Sequence, residues 1–270
     1  MEYKQHYDGA IDFEFKNHVA YLTFNNPKTL NSLSYDMFMS INTIFDTMKQ
    51  DNDVWGVILT GAGRSFIAGA DLSDSRMQTV DFSGAVVLRE VRRNIIHDCL
   101  RHILDFERPV IAAINGYCLG GGAELATCCD FRIASSEAKI GYPEVKLGGI
   151  PAYLGVTQAM RVMSPAAAKE MLMTGKHYTA EEAKAFGFVS KVVKPEELMA
   201  TAEVLMADIT RNAPLAVKYA KICADRCMEM SLNASSELEC LIAAVLATTK
   251  DNKEGKAAFH EKRDPVWQSQ

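Results

Sequence analysis

Residues 114–124 read Ile-Asn-Gly-Tyr-Cys-Leu-Gly-Gly-Gly-Ala-Glu, a strand-like run that passes through three consecutive glycines into helix-forming sequence. Few folds tolerate such a segment. Three glycines in a row weaken both helix and strand, so they mark a place where the backbone takes unusual angles or approaches something closely. The preceding residues 109–114, Pro-Val-Ile-Ala-Ala-Ile, have the length and apolarity of a buried strand. The first amides of a helix after such a turn point into the gap, and the helix dipole favours negative charge there. No Lys-Ser/Thr follows the glycines and the spacing is not GxGxxG, so neither familiar phosphate loop is present. Alone, the segment reads equally well as a tight turn in which glycine only relieves crowding.

A second glycine turn changes that balance. Phe66-Ile67-Ala68-Gly69-Ala70-Asp71 also follows a strand, residues 54–60, after a short loop. Two such turns can offer two backbone N–H donors to one oxygen, which is what an enolate or oxyanion requires. A thioester carbonyl is a suitable guest, because charge builds on its oxygen as the α-carbon gains or loses a proton. A third segment, residues 141–151, sets Glu144 after Pro143 among apolar and glycine residues; Glu124 has the apolar neighbours Ala123 and Leu125. Two carboxylates near one substrate can divide acid and base roles when burial keeps one protonated. Each glutamate alone is as readily a surface or capping residue.

The rest of the chain reads as an α/β core followed by helices. Residues 11–15 alternate apolar and acidic, and residues 18–24 form a second strand, with Lys16-Asn17 joining them as a hairpin. Ser34 caps a helix carrying Met37, Ile41, Ile44, Phe45 and Met48 on one side. Residues 81–106 show a helical stripe of Val87, Val91, Ile95, His102 and Leu104, and residues 131–134 form a short strand. Beyond about residue 160 the pattern is almost all helix, with Pro165, Pro195 and Pro214 at first turns and a capping box at Thr179 and Glu182.

Composition narrows the function classes. With 48% hydrophobic and 23% charged residues the chain has globular proportions. A net charge of −5 is a poor lure for nucleic acid, whose affinity rests on Lys and Arg meeting phosphates. The N-terminal residues lack the apolar core of a secretory signal, and the longest uncharged stretch, residues 109–123, is too short and glycine-broken to span a bilayer. The seven cysteines have no CxxC spacing and no histidine cluster beside them, which points to reduced thiols, a cytoplasmic location and no metal site.

Taken together these segments resemble the crotonase (enoyl-CoA hydratase/isomerase) superfamily. The resemblance rests on N-G-Y-x-L-G-G-G-x-E-L-A with C-D-F-R-I-A after it, G-x-P-E-x-K-L-G-x-I-P, N-N-P-K-T-L-N-S-L-S near the start, and S-F-I-A-G-A-D-L. M-T-G-K, A-K-A-F-G-F-V and the closing F-H-E-K-R-D-P-V-W extend it over nearly the whole chain. It implies an α/β fold, a ClpP-like spiral of ββα repeats with a helical C-terminal extension. The division implied is a core over residues 1–200 with the CoA and catalytic site, and an oligomerisation region over residues 201–270.

The resemblance implies further that the amides of Ala70 and Gly121 form an oxyanion hole. Glu124 would hold and activate water, and Glu144 would exchange the α-proton. Ala68 would face the CoA adenine, and Phe259 and Lys262 would approach the CoA nucleotide from a neighbouring subunit. Lys28, Gly69, Asp71, Leu72, Tyr117, Gly120, Gly122, Ala152 and Tyr153 complete the substrate-binding set. The implied activity is reversible syn addition of water to a 2-enoyl-CoA, in a homotrimer or hexamer, with no cofactor beyond the CoA carried by the substrate. An enoyl-CoA isomerase or another CoA-thioester enzyme is the alternative within the family, and a non-catalytic RNA-binding member a more distant one. The chain departs from the pattern at Tyr153 and Leu154, larger than the small, Gly-rich residues usual after Ile-Pro. Those two either line the acyl pocket or pack against the helix that begins near Gly155, while Ala152 retains an N–H for water.

Overall fold

In the computed structural model, which describes residues 4–7, 10–78 and 96–270, the chain opens as an antiparallel meander. Strands β1 (Lys4–Tyr7), β2 (Ile11–Lys16) and β3 (Val19–Phe24) pair in sequence order. The β2–β3 hairpin turns on Asn17 and His18, both at positive φ (50° and 65°), the two-residue geometry that matches strand twist. Helix α1 (Tyr35–Gln50) follows. Ser34 Oγ accepts the Met37 N–H at 3.3 Å, and the five expected residues Met37, Ile41, Ile44, Phe45 and Met48 are all buried.

From there the chain repeats one unit: a strand in a large sheet, a short strand in a small sheet, then a return to the large one. The first unit holds β4 (Gly56–Gly61), β5 (Ser65–Ile67), α2 (Ser75–Gln78) and α3 (Asp98–Leu104). The second holds β6 (Val110–Ile114), β7 (Tyr117–Leu119) and α4 (Gly121–Thr127). The third holds β8 (Phe131–Ser135), β9 (Lys139–Gly141), α5 (Gly155–Val162) and α6 (Pro165–Thr174). Strand β10 (Tyr178–Thr179), helix α7 (Ala180–Ala185) and strand β11 (Lys191–Val193) close the spiral. The large sheet runs β1-β2-β3-β4-β6-β8-β11, parallel from β3 onward; the small one runs β10-β9-β7-β5, with β5, β7 and β9 parallel. This is the α/β spiral expected.

Alternation along the large sheet builds two cores. Val57, Leu59, Val110, Ala112 and Ile114 face the main cluster with α1 and the small sheet. Ile58, Ile111, Ala113 and Ile133 face the other way, against Leu198, Ala202 and Met206 of α8 (Leu198–Thr210). Full burial of each large side chain there contributes about 1.5–3 kcal/mol. Residue 200 thus lies inside a helix packed on the sheet. Helices α9 (Pro214–Cys227), α10 (Leu232–Ala247) and α11 (Lys250–Glu261) follow; α10 is mostly exposed, and α9 and α11 are about half exposed. Among the described residues no helix is long and apolar enough to cross a membrane.

Two expectations need correction. The helical stripe expected over residues 81–106 lies partly outside the described residues, including Val87, Val91 and Ile95. Where the helix is described, Ile96, Cys99, Leu100 and Ile103 are buried instead of His102, whose ring meets Asn42 and Asp46. Those four follow i, i+3, i+4, i+7, the face that packs on α1; Leu104 is only partly buried. The stretch beyond residue 160 also holds the two short strands β10 and β11, which extend sheets that already exist.

Candidate active site

The three segments singled out in the sequence follow three neighbouring parallel strands, β5, β7 and β9, so parallel pairing sets their C-terminal ends side by side. Residues 68–71 leave β5, Gly120 and Gly121 leave β7, and Tyr142–Glu144 leave β9. The turns converge. Gly69 has φ +116° and Gly120 φ +52°, angles that favour glycine. A Cβ on Gly120 would lie 3.6 Å from the Gly69 Cα and 3.0 Å from Glu144 Oε1. Backbone joins β9 to the turn as well, through the Gly120 N–H donating to the Gly141 carbonyl at 2.9 Å.

The two expected amide donors are neighbours. Leu33 takes the Gly69 carbonyl at 2.8 Å and accepts the Asp71 N–H at 2.9 Å, so the intervening Ala70 N–H faces away from Leu33. Gly121 is the first residue of α4, where an N–H has no intrahelical acceptor. A Cβ on Gly121 would lie 3.6 Å from the Ala70 nitrogen and 3.6 Å from Tyr153 Cδ2.

Glu124 stands one turn into α4 and is 1% exposed. Its Oε1 accepts the Tyr153 N–H at 2.7 Å. Its seat is carved by Gly155, whose Cβ would lie 2.5 Å from that same oxygen. Glu144 sits in a 3₁₀ turn over Pro143–Leu147, which Pro143 starts with its fixed φ. Its Oε2 is buried without a hydrogen-bond partner among the described residues, and burial raises its carboxyl above its ordinary value. A desolvated carboxyl keeps its proton to higher pH, which suits an acid.

The remaining expected residues take varied places. Ala68 is tied through its N–H to the Leu30 carbonyl at 3.1 Å, and Lys28 is exposed on the adjoining turn over Pro27–Thr29. Asp71 Oδ1 accepts both the Ser73 N–H and its hydroxyl, closing a small turn that leaves Leu72 exposed. Tyr117 lies within β7, and Gly122 packs on the Ile67 carbonyl. Phe259 and Lys262 are on the exposed surface at the end of α11, Phe259 being 82% exposed. The Tyr153 ring meets Phe38 edge-on at 6.1 Å, and Tyr153 and Leu154 both pack against the main core.

Two participants escape sequence reasoning. The donor that reaches Glu124 is the Tyr153 N–H, one residue beyond Ala152. The Ala152 carbonyl accepts instead from His97 Nε2 at 2.6 Å, across 55 residues of chain. Gly155 was a usable signal for a tight seat nearby; nothing local marks His97.

Comparison with known proteins bears on this geometry. The family model described as "Enoyl-CoA hydratase/isomerase" matches residues 14–270. The chain is 39% identical over 255 residues to a short-chain-enoyl-CoA hydratase of Clostridium acetobutylicum, covering 94% of this chain and 95% of that one. It is 38% identical over 254 residues to a crotonyl-CoA hydratase of Syntrophomonas wolfei, covering 94% and 95%. The solved structure of an enoyl-CoA hydratase from Bacillus anthracis superposes with a TM-score of 0.90 at 33% identity, covering 97% of this chain and 100% of that one. Glycine turns converging beside two carboxylates, on a spiral shared from end to end with these proteins, have one reading: the chain belongs to the enoyl-CoA hydratase/isomerase family.

Proposed function

We propose that the chain adds water reversibly to a short-chain 2-enoyl-CoA, giving the 3-hydroxyacyl-CoA. The observation that carries this is the placement of two carboxylates, Glu124 and Glu144, beside one pair of backbone turns. Relatives named short-chain-enoyl-CoA hydratase and crotonyl-CoA hydratase support the same reaction and acyl length.

The thioester oxygen sits between the Ala70 and Gly121 N–H groups, and the helix dipole of α4 adds to their effect. Water rests against Glu124, which the Tyr153 N–H holds in place. Its oxygen bonds to C3 while its proton passes to Glu124. The π electrons move toward the thioester oxygen, where the two amides stabilise the enolate. Glu144, whose hold on its proton burial strengthens, delivers a proton to C2. In this reading water and the proton reach the same face of the double bond, and the addition is syn. Preorganised donors of this kind are worth about 2.7–4 kcal/mol each in comparable sites.

The same proposal includes assembly as a trimer or hexamer in the cytoplasm. Leu232, Leu241 and Val245 on α10, with Met228 in the turn before it, expose apolar surface that copies of the chain would cover. Phe259 and Lys262 would then reach the CoA nucleotide of an adjacent subunit.

The test is hydration of crotonyl-CoA, followed by loss of enoyl-thioester absorbance with 3-hydroxybutyryl-CoA identified by mass. Conversion of a 3-enoyl-CoA to the 2-enoyl isomer without water addition would overturn the hydratase reading in favour of an isomerase.

A further inference from the structure

We propose that His97 is a positioning residue for Glu124, acting through the peptide group between Ala152 and Tyr153. That one peptide is held at both ends. Its carbonyl oxygen accepts from His97 Nε2 at 2.6 Å, and its N–H donates to Glu124 Oε1 at 2.7 Å. A carbonyl only accepts, so Nε2 carries the hydrogen whatever the charge of the ring. The peptide is planar and trans, with its oxygen and hydrogen on opposite sides, so anchoring the oxygen fixes the direction of the N–H. Hydrogen bonds chained through an amide also polarise one another.

The loop needs such an anchor. Residues 148–154 join the 3₁₀ turn of Glu144 to α5, and residues 148–150 are exposed. The adjoining Leu154 takes φ +65°, a left-handed angle that costs a branched side chain about 1–2 kcal/mol. Two outside groups clamp the loop where it meets Glu124. Phe38 of α1 meets the Tyr153 ring, and His97, at the start of α3, takes the Ala152 carbonyl. The ring contact locates the side chain of Tyr153; the histidine orients its peptide. General-base catalysis is sensitive to placement, since a misplacement of about 1 Å lowers rate by about 10²-fold. Among the described residues His97 bonds the Ala152 carbonyl and not Glu124 itself, so its effect is expected to fall on the rate of chemistry more than on binding.

The inference rests on the hydratase reading, and the experiment has two arms so that the two can fail separately. Glutamine places an amide N–H near the position of Nε2, whereas leucine fills the space without a donor. In the full chain, His97→Leu is expected to lower kcat for crotonyl-CoA about tenfold with KM changed less than twofold, and His97→Gln to recover most of the loss. Amide hydrogen exchange at Tyr153, read by mass spectrometry with residue-level fragmentation, needs no substrate. It is expected to speed up about tenfold in His97→Leu and to return toward wild type in His97→Gln. An unchanged kcat in His97→Leu, or equal impairment of both variants, would overturn the catalytic part. Unchanged exchange at Tyr153 would overturn the anchor itself. A wild-type chain that hydrates no enoyl-CoA would sink the hydratase reading, while the exchange arm would still decide whether His97 holds the peptide.

Discussion

Gly155 leaves no room for a side chain because Glu124 occupies the space: a Cβ there would lie 2.5 Å from Oε1, 2.7 Å from Cγ and 2.6 Å from the Pro151 Cβ. The φ of Gly155 is not in the left-handed region, so what glycine supplies here is room. Gly155→Ala is expected to push the Glu124 carboxylate off its seat against the Tyr153 N–H. Hydration should fall by about 10²-fold, the effect of a misplacement near 1 Å, with a stability loss of about 1–3 kcal/mol for overpacking. Gly148→Ala is the matched control. It has φ +74° and no atom within 4 Å of its Cβ, so it carries backbone strain with no clash. Kinetics of the two variants side by side would show activity lost only in the first; equal losses would mean that Gly155 serves the fold alone.

Glu124→Gln and Glu144→Gln are each expected to lower hydration by at least about 10²-fold, the usual scale of general acid–base assistance. The two differ in stability. Burial holds the Glu144 carboxyl above its ordinary value, so the folded chain binds more protons than the unfolded one between those two values. Stability therefore falls as pH rises through that window, from an unfolded value of about 4.3 upward. Glu144→Gln removes the penalty. Its Tm should exceed that of wild type at pH 8 and show no gain at pH 3.5. A lower Tm at pH 8 would mean that the Glu144 carboxylate is stabilised in place, which the absence of a partner on Oε2 among the described residues argues against.

Legibility followed the length of the signal. The strands at 110–114 and 131–135 and the helix capped by Ser34 were readable because each carries enough residues to show a period. Strands β7 and β9 have three residues apiece and β10 two, too few for any pattern, and they make up most of the small sheet. The motifs they carry were still found, because Gly69, Gly120 and the Pro143-Glu144 pair are chemically conspicuous. What remained hidden was why these meet, which is the parallel pairing of β5, β7 and β9. The stripe of α3 has a different cause: His102 and Leu104 lie beside Ile103, while the i, i+3, i+4, i+7 spacing of Ile96, Cys99, Leu100 and Ile103 marks the face that packs on α1. His97 was invisible for a third reason, since its partner is a backbone carbonyl 55 residues away.

Exposure of the C-terminal helices leads to a prediction about assembly. Leu241 and Val245 are four residues apart on α10 and are 64% and 48% exposed, one apolar face on a helix that a single chain leaves uncovered. Light scattering is expected to give a mass of three or six chains at micromolar concentration. Leu241→Glu/Val245→Glu should reduce that mass if this face is buried between copies. A monomer for the unsubstituted chain would refute the assembly, and an intact oligomer in the variant would place the contact elsewhere.

Tyr153 and Leu154 are where the chain departs from the small residues usual in its family, and the structure separates their roles. The Tyr153 ring lies against Phe38, and its Cδ2 would stand 3.6 Å from a Cβ on Gly121, so the ring borders the turn that carries an expected thioester donor. Leu154 caps α5 in a left-handed conformation and, partly buried, packs against the core. Tyr153→Ala is expected to open space beside the acyl group and to move preference toward longer chains. The change should be a ratio of at most about 10–200-fold per added methylene, since one methylene is worth about 1–3 kcal/mol of discrimination. Leu154→Gly relieves about 1–2 kcal/mol of backbone strain and gives up part of its packing, so its stability change should be small and its substrate ranking that of wild type. Hydration rates over a series from crotonyl-CoA to decenoyl-CoA would measure both. An unchanged ranking in Tyr153→Ala would assign the ring to the core, and a changed ranking in Leu154→Gly would bring that side chain into the pocket.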